Sequence, residues 1–155
     1  MSDLKLTPST EDYMKTIYEI SQESKVVRIK QIANRLNVKM PSVVNAVKQL
    51  ESKGLINHES YGYIELTKAG REVGEKLYNR HKVLSEFLID VLQVDEAIAF
   101  EDACAIEHYL HPETVEKVVK FLSFLKLSPD GEPNWLKKFK LYLKTGKKDC
   151  EKLRE

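Results

Sequence analysis

Apolar residues recur at helical spacing almost from the start of the chain. Tyr13, Ile17, Tyr18 and Ile20 predict a helix over about residues 9–24. Ser9 or Thr10 would cap it. Ser9 with Asp12 makes an S-x-x-D box, which puts Asp12 in the first turn, where a carboxylate complements the helix dipole. Ile29, Ile32, Ala33 and Leu36 predict a second, short helix, and Val43, Val47 and Leu50 give a third its buried stripe. Asn37 and Val38 join these two tightly. Pro41 suits the first turn of the third helix, where its missing N–H has no intrahelical acceptor, and Gly54 ends it. Residues 55–60 and 63–67 read as strands around Tyr61-Gly62, a short β-hairpin.

The second half is helical by the same criterion. Val73, Leu77, Leu84, Phe87, Leu88 and Leu92 predict one long helix from about Lys68 to Val91. Further helices are expected over about 95–110 and 112–125. Pro129-Asp130-Gly131 then breaks the pattern, and Trp135, Leu136, Phe139 and Leu141–Leu143 predict a last short amphipathic helix. The fold class is therefore mainly α. An N-terminal winged helix-turn-helix with a small hairpin wing is expected over 1–72, an all-helical domain over 73–130, and a short helix with a basic tail over 131–155.

Charge sharpens this picture. The chain of 155 residues has a formal net charge of only +1. Yet residues 25–50 hold Lys25, Arg28, Lys30, Arg35, Lys39 and Lys48 with no acidic residue. Such a block suits a docking surface for an anionic polymer, although lysines that merely solvate helix faces explain it too. Arg28, Lys30, Lys39 and Lys48 are candidate phosphate contacts. Tyr61 and Tyr63, near the hairpin tip, fit packing on a sugar–phosphate backbone as well as they fit ordinary exposed ribbon tyrosines. With Cys104 and Cys150 the only cysteines and no CxxC pair, a disulfide framework is not expected. No apolar run approaches the roughly 20 residues of a membrane span, and the N-terminus has no apolar signal core. These features predict a cytoplasmic protein with reduced thiols and no membrane partner.

Cys104, Glu107 and His108 carry the candidate chemistry. At i, i+3 and i+4 they put a thiol, a carboxylate and an imidazole on one helix face. That mixture suits Fe²⁺, Mn²⁺, Co²⁺, Ni²⁺ or Zn²⁺ better than Ca²⁺ or Mg²⁺. By spacing alone, a small buried thiol beside two surface polar groups is the more common account. A redox-sensing regulator using Cys104 and a metal-dependent hydrolase are the rival classes. No HExxH, GxSxG or phosphate-loop signature supports an enzyme.

Several stretches together resemble the diphtheria toxin repressor family of metal-dependent transcriptional repressors, which includes the manganese transport regulators. They are STEDYMKTIYEI, IANRLNVKMPSVVNAVKQLESKGLI, LTKAGREVGEKLYNRHKVLSEFL and DACAIEHYL, spread over about residues 7–125. The resemblance implies a homodimer with a winged-helix domain and a helical dimerisation domain. It implies a divalent metal, Fe²⁺ or Mn²⁺, bound between the domains, and double-stranded operator DNA as partner. It leaves no room here for the SH3-like domain that some members carry. Pro41, Ser42 and Asn45 match the exposed start of the recognition helix. Cys104, Glu107 and His108 match the iron-type ligand pattern, whereas Asp12 matches the manganese-type ligand, so the site reads as a hybrid. His81 matches a ligand of a second metal site. Its other positions depart from the pattern: Ser85 stands for a carboxylate, Phe100 for a histidine and Lys15 for a glutamate. One ion per subunit is expected.

Overall fold

The computed structural model describes residues 6–59, 62–127 and 131–146. Tyr61, the first residues of the 129–131 turn, Cys150 and the basic tail beyond residue 146 lie outside the described residues. The chain folds as two units, Met1–Asn79 and Arg80–Glu155.

In the first unit, α1 (Pro8–Glu23) is followed by β1 (Val27–Arg28), α2 (Ile29–Leu36) and α3 (Met40–Ser52). Then come β2 (Ile56–His58), β3 (Tyr63–Leu66) and the start of α4 (Lys68–Glu86). The N-cap of α1 is Thr7, not Ser9 or Thr10. Its hydroxyl accepts from the Thr10 N–H at 3.3 Å, and Pro8 follows it in the first turn. Proline is well placed there because that N–H would find no acceptor. Asp12 consequently sits beyond the first turn, and the acidic residue that faces the helix start is Glu11. Asn37 closes α2 in the left-handed region, at φ 52°, which asparagine tolerates better than most residues.

Both wing strands are shorter than the sequence pattern suggests, and β1 was not expected. The sheet runs β1-β3-β2, all antiparallel, with Val27 opposite Ile64 and Ile56 opposite Leu66. Its inner face closes on Met14, Ile17, Ile32, Val43, Val47 and Leu50, all essentially inaccessible. Two glycines let α4 approach. A Cβ at Gly70 would lie 1.8 Å from the Leu55 carbonyl oxygen, and one at Gly74 would lie 2.6 Å from the Tyr18 side chain. At the far side, the Arg35 guanidinium grips both Glu23 carboxylate oxygens, at 2.7 and 3.0 Å, tying α2 to α1.

The second unit begins inside α4. Its last turn widens into a π-helical turn over Phe87–Val91, where an uninterrupted α-helix was expected. Gln93 folds back at positive φ, and its amide donates to the Ile89 and Asp90 carbonyls that this turn leaves open. Three helices follow: α5 (Glu96–Glu107), α6 (Pro112–Lys126) and α7 (Asn134–Thr145). Val91, Leu122 and Leu136 centre a small core, with Phe87, Phe121 and Phe139 packed around it. Among the described residues no helix is long and apolar enough to cross a membrane.

Candidate metal centre and nucleic-acid interface

Residues 99, 103 and 107 form the buried face of α5, one every four positions. The first two are alanines. The third is Glu107, a carboxylate that is 1% exposed. A carboxylate this deep must be partnered, and two imidazoles lie beside it. Glu107 Oε2 lies 3.1 Å from His81 Nδ1 on α4, and Oε1 lies 3.7 Å from His108 Nε2. An ionised carboxylate only accepts, so with Glu107 ionised the donor in this contact is the His81 Nδ1–H.

His108 is one residue past the end of α5, yet its backbone stays helical at φ −75°, ψ −19°. The i, i+3, i+4 spacing therefore works as read. Cys104 Sγ, a Glu107 oxygen and a His108 ring nitrogen lie within 4.8 Å of one another. Ligands at about 2.0–2.3 Å from one shared ion stand at most some 4.6 Å apart, so small adjustments would let these atoms meet at a common centre. The donor set fits a transition ion: thiol, carboxylate and imidazole, with the carboxylate and imidazole side chains buried.

His81 is drawn to Glu107, and its ring meets the edge of Phe100 at a centroid distance of 4.8 Å. One turn along α4, the Ser85 hydroxyl is buried with no hydrogen-bond partner among the described residues. In the first unit, Asp12 Oδ1 is 3.7 Å from Lys15 Nζ, and the Lys15 side chain is only 9% exposed. That lysine does not extend into solvent. The His81–Glu107 contact spans 26 residues, and no periodicity in the chain announces it.

The second surface is the start of α3. Pro41, Ser42, Asn45 and Lys48 are exposed there, while Val43, Ala46, Val47 and Leu50 turn inward. Lys39 precedes the helix as its N-cap and is exposed, as is Lys30 on α2. Met40, in register with the buried stripe, is nevertheless 53% exposed, because the first helical residue overhangs the core. Arg28 and Tyr63 stand opposite each other across β1 and β3. The Arg28 guanidinium lies 5.2 Å from the Tyr63 ring centroid, and Nη2 reaches the phenol oxygen at 3.5 Å. Tyr63 therefore holds a cation over its face.

Two family profiles match in succession. The iron-dependent repressor N-terminal DNA-binding domain covers residues 5–64, and the iron-dependent repressor metal-binding and dimerisation domain covers residues 67–136. The chain belongs to the iron-dependent repressor family. This is the diphtheria toxin repressor and manganese regulator family, whose members are transcriptional repressors and not enzymes.

Two curated relatives and one solved structure illustrate the kinship. An HTH-type transcriptional regulator of Methanocaldococcus jannaschii is 35% identical over 122 residues, which is 78% of this chain and 98% of that protein. The HTH-type transcriptional regulator MntR of Oceanobacillus iheyensis is 32% identical over 120 residues, 77% of this chain and 81% of that one. The manganese regulator SloR superposes with a TM-score of 0.67 at 34% identity, over 77% of this chain. The present chain spans about half of SloR, 55% of its length.

Proposed function

We propose that this repressor binds operator DNA as a homodimer in the cytoplasm when loaded with a divalent transition metal, Fe²⁺ or Mn²⁺, and so controls metal homeostasis. The convergence of Cys104, Glu107 and His108 within 4.8 Å carries the reading. These three would hold the ion, and Asp12 on α1 would complete the set. When bound, the ion supplies positive charge that offsets the carboxylates of Asp12 and Glu107. Asp12 would then be tied through its helix to the second unit, and the freedom of the DNA-binding unit would fall.

In a dimer, that restraint would hold the two α3 helices at a spacing near the roughly 34 Å of successive major grooves. A state that both metal and DNA prefer is populated by either, so the two bindings reinforce each other. Asn45, with Pro41 and Ser42, would face base edges. Arg28, Lys30, Lys39 and Lys48 would meet phosphates, and Tyr61 and Tyr63 would lie along the backbone.

Operator binding titrated with each metal under anaerobic, thiol-reducing conditions tests this. Fe²⁺ or Mn²⁺ should raise affinity, and chelator should reverse it. Equal affinity in excess chelator and in metal would refute the mechanism. Reversal by oxidant but not by chelator would favour a redox role for Cys104 instead.

A further inference from the structure

We propose that His81 is a positioning residue for Glu107 and that its pocket makes this chain a one-ion sensor. The proposal rests on the metal-centre reading above and adds to it. His81 and Glu107 are buried together, with side chains 6% and 1% exposed, and meet at 3.1 Å through Nδ1 and Oε2. That contact engages one carboxylate oxygen and leaves Oε1 on the His108 side, 3.7 Å from Nε2. Carboxylates that bind metals are commonly held in this way by a neighbour that does not itself bind.

The remaining ring nitrogen of His81 has poor company for a second cation. Ser85, one turn along the same helix, offers a neutral hydroxyl. Phe100 offers a ring edge-on to the imidazole at 4.8 Å, which fixes the plane of His81 without supplying a donor. Among the described residues, the cluster of metal-ligating side chains does not include His81. Ser85 and Phe100 add only a hydroxyl and hydrocarbon to that imidazole, and the Glu107 carboxylate would already be committed to the first ion.

The test uses the full chain with Co²⁺ as probe. Equilibrium dialysis with elemental analysis counts the ions, and the thiolate-to-cobalt absorption reports the ion at Cys104 separately. Wild type should bind one Co²⁺ per subunit and show that band. His81→Ala should still bind one, with affinity lower by about 10–100-fold and a shifted cobalt spectrum. His81→Asn keeps an N–H donor near the Nδ1 position and should recover part of the loss. Ser85→Glu with Phe100→His places two new donors beside His81 and should raise the count from one to two. Two ions in wild type, falling to one in His81→Ala with unchanged affinity for the first, would overturn the proposal. So would unchanged affinity and spectrum in both His81 variants, or a count still at one in the double variant. Absence of the thiolate band and of any bound Co²⁺ in wild type would instead defeat the metal-centre reading beneath it.

Discussion

Glu107→Gln separates the binding role of this carboxylate from its packing role. The substitution keeps the shape of a side chain that is 1% exposed and removes its charge. Two effects oppose each other in the metal-free protein. The charge-assisted contact with His81, at 3.1 Å, weakens, which costs about 1.5–3 kcal/mol. Against that, a buried carboxylate carries a desolvation penalty of several kcal/mol, which the amide relieves. Metal-free stability should therefore change by less than about 2 kcal/mol in either direction. Metal-linked stability behaves differently. Metal bound at this site would, at a thousand times its Kd, stabilise the wild type by about 4 kcal/mol. At roughly 2–4 °C per kcal/mol for a chain of this size, that is a rise of about 8–16 °C in Tm. A neutral amide is a poor ligand, so the variant should lose nearly all of this rise. Thermal unfolding followed by circular dichroism, with Mn²⁺ and with chelator, reads both quantities. A retained metal-dependent rise would show that Glu107 is not a ligand. A collapse of metal-free stability by more than about 4 kcal/mol would mean that the pair with His81 is chiefly structural.

Asn45→Ala should relax base preference at one position per half-site by about 1–3 kcal/mol, whereas Lys39→Ala should weaken all sequences alike and flatten the salt dependence; competition binding over a salt series distinguishes them. Cys104→Glu should move activation toward Mn²⁺, because it exchanges a soft donor for a hard one, and an unchanged metal ranking in DNA binding would leave Cys104 a packing residue. The Arg35 guanidinium, hydrogen-bonded to Glu23, holds that carboxyl below its ordinary value of 4.5. The pair therefore contributes stability above the ordinary carboxylate range and loses it as pH falls through the lowered value. Glu23→Gln should lower Tm at about pH 7 and have little effect at about pH 3, as melting curves at the two pH values would show.

What the chain determines by itself is local. Val43, Val47 and Leu50 recur at the helical period, so the buried face of α3, and with it the exposure of Asn45 and Lys48, follows from spacing. The same holds for Cys104, Glu107 and His108, because residues three and four apart on a helix are neighbours whatever the rest of the molecule does. Tertiary packing decided the rest. β1 is two residues long, too short for any period, and exists because Val27 meets Ile64 across the sheet. Met40 fits the apolar stripe of α3 yet is exposed, since burial depends on what lies opposite and not on register alone. Lys15 stands where the resemblance puts a glutamate, and nothing in its spacing announces that it lies buried beside Asp12. The resemblance makes His81 a ligand of a second metal site, and only the packing of α4 on α5 brings it to Glu107. Spacing sets which side chains share a face of one element; which faces meet, and which charges must then be partnered away from water, is settled by contacts between residues far apart in the chain.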